Sequence, residues 1–497
     1  MFFLLFLGLF GLGAWLGARP GGGSPELIPL PVYPLLIVTI LALILTWLTA
    51  RLDSRRVPVM LVATAWPLFF YSACHSDHEY ELREPDPKIV AAASPQGLDE
   101  AAFVRGWMTA GARPWVAHGR PRIPIVVTAS GGGITAAYWT ACVLDRLCRD
   151  PDFGAVFAPS VLLTSSVSGG SAGFAFWLQE YANGGVAPEA SDRAAGRAGT
   201  ECLSSISWGL AYPDLMRLFM PWFTPTNLDR GAALEAAWLA TGMDAEATLW
   251  SWRQQAALGL RPTSIFNATI VETGQRLMIA LHDVKVPELV DGASAQAWLR
   301  LYPGWDLRIA TAARLSATFP FVSPVARPVW KGAADGAPQL LPTARYHVAD
   351  GGYYDNDGVA SALEFLATSR QALRESQVER LLLVRIRASP VGEMPDAKDD
   401  SGWASAFLGP LQTMLKVRTA SQVDRNRTQL AAMIEAWKPE LEILDVAFEL
   451  KTSDTLSWYL TDGEQRGIRG AVATNAAEIG SIAQFLGNQR VEQAEIT

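Results

Sequence analysis

Residues 160–181 read SVLLTSSVSGGSAGFAFWLQEY, an apolar run, a serine- and glycine-rich turn and then a second apolar run. The first run is short and β-branched, which predicts a buried strand over 160–165. The second run, over 172–181, is long enough for a helix. A buried strand that passes through a tight turn into a helix is typical of an α/β fold with parallel strands.

The turn places Ser168 at a sharp bend between the strand and the helix. Its neighbours two positions away, Ser166 and Gly170, are small enough for the chain to fold back on itself, as in a nucleophile elbow. A helix that begins at Gly169 would point its amide groups toward the serine and favour negative charge there. A plain serine-glycine loop has the same composition, so this motif alone leaves both interpretations open.

A second unit of the same kind precedes the first. Residues 123–128 predict a buried strand, and 134–148 predict a helix. Between them, Gly131, Gly132 and Gly133 would expose several amide groups in one concavity, as an oxyanion hole requires. A phosphate-binding loop would also use glycines here, but neither G-x-G-x-x-G nor a following Gly-Lys-Ser/Thr is present.

The remainder of the chain continues the alternation of strands and helices. Strands are expected at 264–271 and 380–387, and 441–450 is ambiguous. The stretch 404–437 predicts a long helix broken at Gly409-Pro410, and 187–200 predicts a mobile surface loop. The fold class is therefore α/β with a largely parallel central sheet.

The base that would activate Ser168 has two candidate types. In hydrolase order a histidine must follow the serine, which leaves His282 and His347. The other candidate is Asp350, which ends a short strand-like run and is followed by Gly351-Gly352. A carboxylate on such a turn could reach the serine directly.

Composition excludes several classes of protein. Of the 497 residues, 50% are apolar and 18% are charged, which excludes a disordered chain. A net charge of -8 gives no attraction for nucleic acid. The four cysteines, Cys74, Cys142, Cys148 and Cys202, match no metal or redox motif, and either free thiols or one disulfide fit them. The segment Asp355–Gly358 lacks the full calcium-loop register, so a turn and no metal site is expected.

Uncharged apolar segments dominate the N-terminal region. Segments 1–18, 32–50 and 57–73 each approach the ~20 residues that cross a bilayer, which predicts about three transmembrane helices; the first could instead be a signal peptide. Arginines 51, 55 and 56 place their loop in the cytoplasm, so the rest of the chain would be periplasmic on a bacterial inner membrane. The expected division is a membrane region over 1–75, a linker and entry helix over 76–121, and a catalytic domain over 122–497.

Three motifs occur in order along the chain: S-G-G-G-I at 130–134, S-x-S-G-G-S at 166–171 and D-G-G at 350–352. Together they resemble the motifs of the patatin-like lipid acyl hydrolases and the related cytosolic phospholipase A2 group, in the family's order. The segment 316–324 is similar to the family's Ser-x-Ala-x-Pro stretch. The resemblance spans about 123–359 and implies a three-layer patatin-like domain.

The resemblance also implies a chemistry. Ser168 would be the nucleophile and Asp350 the base, with Gly131, Gly132 and Gly133 as the oxyanion hole and no metal or cofactor. The substrate would be a lipid or phospholipid in the bilayer. Thr135 stands where the family usually has Arg or Lys, which Arg314 or Arg327 could compensate. An inactive lipid-binding or scaffolding protein, or an esterase or protease for soluble substrates, is the alternative, and the oligomeric state is open.

Overall fold

The structure is a computed structural model. It describes residues 8, 11, 32–73, 77–92, 98–117, 119–222, 225–286, 288–289, 292–293, 295–320, 322–330, 345–388, 403–451 and 457–487. That description does not include the side chains of residues 34, 71–73, 90–92, 288–289, 292–293, 403–416, 418–419 and 487.

One central sheet organises the described part of the chain. Its eight strands run in the order β12-β11-β2-β3-β4-β5-β8, with β10 pairing β4. The pairs β12–β11, β11–β2, β2–β3, β3–β4 and β5–β8 are parallel, whereas β4–β5 and β4–β10 are antiparallel. The strands are β1 (Glu79–Glu81), β2 (Ile125–Ala129), β3 (Val161–Val167), β4 (Thr263–Ile270), β5 (Arg276–Ala280), β6 (Glu288–Leu289), β7 (Gly292–Ala293), β8 (Ala295–Ala297), β9 (Arg327–Val329), β10 (Val348–Asp350), β11 (Arg380–Arg387) and β12 (Glu442–Glu449).

Helices surround the sheet and precede it. They are α1 (Val32–Leu52), α2 (Val59–Ala73), α3 (Pro87–Ala92), α4 (Glu100–Thr109), α5 (Pro114–Ala117), α6 (Gly133–Cys148), α7 (Gly154–Ser160), α8 (Gly169–Leu178), α9 (Pro188–Ala198), α10 (Leu203–Gly209), α11 (Leu215–Phe219), α12 (Arg230–Ala240), α13 (Leu249–Ala257), α14 (Trp298–Leu301), α15 (Ile309–Ser316), α16 (Val359–Glu375), α17 (Trp403–Trp437), α18 (Asp462–Ala471) and α19 (Ala476–Gly487). A π-helical turn, Leu210–Asp214, joins α10 to α11.

The sheet is buried on both faces because its strands are apolar at successive positions. In β2, Ile125 and Val127 pack with α6 and α8, while Val126 points to the other face and packs with α4 and α16. Side chains alternate across a strand, so a run without polar interruption needs cover on both sides. The result is three layers, and the predicted α/β fold with a largely parallel sheet is confirmed.

Two local predictions were wrong. Residues 187–200 contain the helix α9 rather than a loop, because Pro188 sits at its first turn and Ala190, Ala194 and Ala198 form a buried stripe. The long helix α17 continues through Gly409-Pro410 instead of breaking there. The ambiguous stretch 441–450 is the strand β12, since it pairs with β11 along its whole length.

The N-terminal region differs most from its prediction. Among the described residues one helix, the region of α1, is long and apolar enough to cross a membrane. The third predicted span forms α2, which has only 15 residues and contains Pro67. The first predicted span, 1–18, falls almost wholly outside the described residues. The expectation of about three transmembrane helices and a multi-pass protein is therefore corrected to one candidate span.

The stretch predicted as a linker contributes a strand to the fold. In β1, Tyr80 lies opposite Pro328 of β9 in a parallel pair. Tyr80 and Leu82 are buried in the same apolar core as α6 and α8. Residues 79–82 are thus held against the domain rather than suspended between it and the helices.

Candidate functional site

Two turns meet at one edge of the sheet. β2 and β3 are parallel neighbours, with Ala129 opposite Ser166. The glycine turn that follows β2 and the Ser168 turn that follows β3 therefore lie side by side at the carboxyl ends of the strands. In α/β folds this is the edge where ligands bind.

The Ser168 turn is a strained bend. Ser168 has φ 53° and ψ -126°, a conformation that residues with a side chain adopt rarely. Its exposed fraction is 7%, and its backbone N–H donates to Ser316 Oγ at 3.1 Å. α8 begins at the next residue, so Ser168 occupies the N-cap position of that helix. A strained residue between a strand and a helix is the backbone conformation that a nucleophile elbow needs, and the elbow role of Ser168 stays a prediction.

Close packing explains why the residues beside the serine are glycines. A Cβ on Gly169 would lie 1.8 Å from the carbonyl oxygen of Gly133, and one on Gly170 would lie 2.6 Å from that of Ser130. A Cβ on Gly131 would lie 3.0 Å from Ser168 Cβ. The two turns are therefore in backbone contact, and no side chain fits between them.

Asp350 reaches the same point from the opposite direction. β3 runs parallel to β4 and ends with Val167 opposite Asn267. β10 runs antiparallel along the same edge of β4 and ends with Asp350 opposite Ala268. That edge is shared because β5 pairs with the other one. The two strands thus meet head to head: Val167, the residue before Ser168, and Asp350 occupy adjacent register positions along β4.

The aspartate turn is tied to the glycine turn by Asn356. The backbone of Asp350 donates to the Thr318 carbonyl at 3.0 Å, and its Oδ1 accepts from Gly352 N–H at 2.7 Å. The Asn356 carbonyl accepts from Gly131 N–H at 2.9 Å. A Cβ on Gly131 or on Gly352 would also meet Asn356 Oδ1, at 2.4 Å and 2.7 Å. Asn356 therefore fills the space between the two turns.

A chain of buried hydroxyls supports the elbow from beneath. Ser316 Oγ donates to the Asn267 carbonyl at 2.5 Å, which uses its one proton. Ser171 Oγ, 2.8 Å away, must then donate to Ser316, and Ser166 Oγ lies 2.9 Å from Ser171 Oγ. Ser316 is left with a lone pair for the amide of Ser168. The hydroxyl chain therefore fixes the backbone of Ser168 from beneath the turn.

Sequence reasoning missed Asn267, Asn356 and the role of Ser316. Asn267 Nδ2 donates to Ser165 Oγ and to the Ser166 carbonyl, both at 3.0 Å. It is the one amide side chain in the fully buried strand TSIFNATI, and a buried amide that needs partners is the signal that could have found it. Asn356 and Ser316 carry no comparable signal.

The three glycine amides are not equivalent. The Gly131 N–H is already bonded to the Asn356 carbonyl. Within the described part of the chain, the amides of Gly132 and Gly133 have no hydrogen-bond partner. Both residues have positive φ, 145° for Gly132 and 60° for Gly133, at the turn where α6 begins. Of the predicted oxyanion-hole residues, these two offer donors, and Gly131 contributes its small size.

Neither candidate histidine lies at this edge. His282 is buried, its Nδ1 lies 2.7 Å from Thr263 Oγ1, and burial lowers its pKa to about 3. Thr263 begins β4, five residues before the position opposite Asp350, or ~16 Å along a strand. The ring of His347 bonds to Glu272 Oε1 at 2.6 Å and to Asp77 Oδ2 at 2.7 Å. Both its nitrogens are occupied by carboxylates.

The arginines that might replace a cation at Thr135 are neutralised elsewhere. Arg314 is buried and pairs with Glu235 at 2.5 Å. Arg327 pairs with Asp77 at 3.1 Å. Thr135 itself is buried in the first turn of α6. Neither arginine is therefore a spare positive charge for a phosphate.

The cysteines and acidic residues show no metal chemistry within the described residues. Cys142, Cys148 and Cys202 are free and buried, and burial raises the pKa of Cys142 to about 11. Cys74 lies outside the described residues. No group of three or more His, Cys, Asp or Glu that could hold a metal occurs in the described chain. Asp355 accepts from the Asp357 and Ala360 amides, so the 355–358 segment forms a turn.

Comparisons with known proteins give a partial overlap. No protein-family model and no curated protein matches this chain. Human GIVD cytosolic phospholipase A2 overlaps with a TM-score of 0.42 and 13% identity, over 78% of this chain and 66% of that one. VipD from Legionella pneumophila overlaps with a TM-score of 0.30 and 11% identity, over 72% and 67%. This chain spans slightly less than two thirds of the human protein, and the roles of its site residues rest on its own geometry.

Proposed function

We propose that this chain is a membrane-anchored serine hydrolase of fatty-acyl lipid esters, of the phospholipase A or lysophospholipase type. The observation that carries the proposal is the head-to-head meeting of β3 and β10 on one edge of β4. It supports a Ser168–Asp350 dyad beside a turn of glycine amides. The patatin-like motif order in the sequence is consistent with this assignment.

The chemistry follows from the roles of these groups. Ser168 Oγ attacks the ester carbonyl carbon while its proton passes to the Asp350 carboxylate. The amides of Gly132 and Gly133 hold the negative oxygen of the tetrahedral intermediate, and the N-terminus of α8 adds to that field. The bond between the acyl carbon and the alcohol oxygen then breaks, and the alcohol leaves with the proton that Asp350 returns. Water then attacks the acyl-serine, gives its proton to Asp350, and releases the fatty acid as Ser168 is reprotonated.

The anchor argues for a substrate within the bilayer. α1 has 21 residues and a length of ~31 Å, about the ~30 Å of a hydrocarbon core. A tethered active site meets membrane lipid at a high effective concentration. Because Arg314 and Arg327 are both paired with carboxylates, we expect acylglycerols without phosphate to be hydrolysed as well as phospholipids.

The test is hydrolysis by the full chain in lipid nanodiscs. Fatty-acid release from phosphatidylcholine and release of nitrophenol from a short, dissolved acyl ester are measured for the parent and Ser168→Ala. The matched control is Ser160→Ala, a buried serine just before the other end of β3. We expect Ser168→Ala to abolish both reactions and Ser160→Ala to keep them. Equal activity of Ser168→Ala and the parent would refute the serine mechanism, and an inactive parent would favour a lipid-binding protein.

A further inference from the structure

The helical segment 203–222 has its polarity reversed relative to a helix that faces water. It comprises α10, the π-turn, α11 and the next three residues, all of them described. Its exposed residues are all large and apolar, with exposed fractions of 37% to 50%: Leu210, Met216, Leu218, Met220 and Trp222. A helix facing water normally carries its charged residues on that side.

Both charged residues of the segment point inward. The side chain of Asp214 is 8% exposed and pairs with Arg230 of α12. Arg217 is 1% exposed, and its guanidinium donates to the carbonyls of Pro225 and Leu228, both at 2.7 Å. Turning both charges into the protein while five large apolar side chains face outward is costly in water. The same arrangement is the normal one for a surface that faces lipid.

The segment also packs directly against the two N-terminal helices. The Tyr212 ring meets that of Tyr33 in the first turn of α1, with centroids 6.2 Å apart. Trp66 Nε1 donates to the Phe219 carbonyl at 2.9 Å, and the Trp222 ring lies 5.4 Å from that of Phe70. The apolar face of 203–222 is therefore continuous with the apolar surface of α1 and α2.

The lengths of the two helices fix the depth at which these contacts occur. α2 has 15 residues, a length of ~22 Å, which is too short to cross a ~30 Å hydrocarbon core. Trp66 lies halfway along α2, about 10 Å from its start at Val59. If α1 spans the bilayer, the turn that follows it lies near one surface, and Trp66 lies within the apolar layer. Phe219, which bonds to Trp66, must lie there too.

We propose that the segment 203–222 is embedded in the bilayer, with Leu210, Met216, Leu218, Met220 and Trp222 in contact with acyl chains. This inference rests on the membrane anchoring in the proposed function. The hydrogen bond from Trp66 Nε1 satisfies the Phe219 carbonyl at the end of α11, where lipid offers no donor. The segment thus occupies part of the hydrocarbon core that α2 is too short to cross.

The embedded segment connects to the active-site side of the domain. The chain leaves Trp222 and enters α12, where a Cβ on Gly231 would lie 2.9 Å from Ser323 Oγ. Ser323 belongs to the stretch that carries Thr318, whose carbonyl accepts from Asp350 N–H. The segment is therefore linked through α12 and Ser323 to the stretch that holds the backbone of Asp350.

Spin-label depth measurements test the embedding. The full chain with Cys74→Ser carries a nitroxide at Leu218→Cys or Met220→Cys, since Cys142, Cys148 and Cys202 are buried. The protein is placed in nanodiscs of equimolar phosphatidylethanolamine and phosphatidylglycerol. Val38→Cys on the exposed side of α1 is the lipid reference, and Leu258→Cys, 63% exposed beyond the other end of β4, is the water reference.

We expect labels at 218 and 220 to follow the position 38 label, with high accessibility to oxygen and low accessibility to a water-soluble nickel chelate. Readings like those at position 258 would place the segment in water and overturn the proposal. Low accessibility to both reagents would mean that another protein surface covers it, which overturns the proposal equally.

A functional arm separates this proposal from the proposed function. The double variant Leu218→Asn with Met220→Asn should lose about tenfold or more of its activity on vesicle lipid and keep its activity on a dissolved short ester. The matched variant Leu258→Asn should change neither. Equal vesicle activity of the double variant and the parent would contradict the embedding. If labels 218 and 220 lie in lipid but the chain has no esterase activity, the embedding is supported and the proposed hydrolase function is refuted.

Discussion

The short strand β10 has two of the three candidate bases at its ends, in opposite surroundings. Asp350 ends the strand, is 2% exposed and lies at the edge where two turns are in backbone contact. His347 precedes the strand by one residue, is partly exposed and sits between two carboxylates. Histidine is the commoner general base, yet the strand register places the aspartate, and not the histidine, at the sheet edge where Ser168 lies. The surroundings, rather than the residue type, decide which end is suited to catalysis.

The largest expected effect separates these two ends. Asp350→Asn keeps the shape of the side chain but removes its ability to accept a proton, so turnover should fall by roughly 10³- to 10⁴-fold. His347→Gln should change turnover by less than about threefold, because its ring serves the carboxylates of Glu272 and Asp77. The measurement is kcat on a dissolved short ester. A larger loss in His347→Gln than in Asp350→Asn would reverse the assignment of the base.

The next effect tests the tight packing of the two turns at the sheet edge where Asp350 lies. Gly169→Ala would place a methyl group 1.8 Å from the Gly133 carbonyl oxygen, and we expect it to lower the free energy of unfolding by at least about 3 kcal/mol. Gly196 in α9 has open space around it, so Gly196→Ala should raise that free energy by roughly 0.5–1 kcal/mol. Urea unfolding in detergent measures both. Similar values for the two variants would mean that the turns are not in contact.

A smaller effect concerns the hydroxyl beneath the elbow. Ser316→Ala removes the acceptor of the Ser168 amide and the donor to Asn267, but no group that touches substrate. We expect kcat to fall by roughly 10- to 100-fold with little change in KM, and Ser316→Thr to recover part of it. A loss confined to KM would mean that Ser316 shapes the substrate pocket instead of positioning the nucleophile.

The smallest effect is the pH dependence of stability at the His347 end. Burial lowers the pKa of His347, but its hydrogen bonds to Glu272 and Asp77 outweigh this and raise the pKa overall. Its stabilising contribution is therefore fully present below the unfolded pKa of ~6.5 and is lost as pH rises through the folded value. We expect His347→Gln to cost less than about 1 kcal/mol near pH 6 and nothing at alkaline pH. Urea unfolding at both pH values measures it, and a cost that grows with pH would contradict the ion pairs.

Local sequence signals predicted the two strand–turn–helix units well, because glycines at a bend and apolar β-branched runs act over few residues. They could not predict that β10 runs antiparallel into the end of β3, since this register depends on β4, over 80 residues before Asp350. They missed α9 because its Ala, Gly and Ser content is typical of a mobile loop, and composition alone does not show that the alanines form a buried stripe. They also overcounted membrane spans, because apolar content alone does not reveal that α2 is short and pairs with the segment 203–222.

The central claim is that Ser168 is an activated nucleophile, and covalent labelling tests it most directly. A fluorophosphonate reacts at a useful rate only with such a serine. The full chain in nanodiscs is treated with the reagent, digested and analysed by mass spectrometry. We predict one adduct, on the peptide that contains Ser168, with none in Ser168→Ala and much slower formation in Asp350→Asn. An unlabelled parent, or an adduct that persists in Ser168→Ala, would contradict the account.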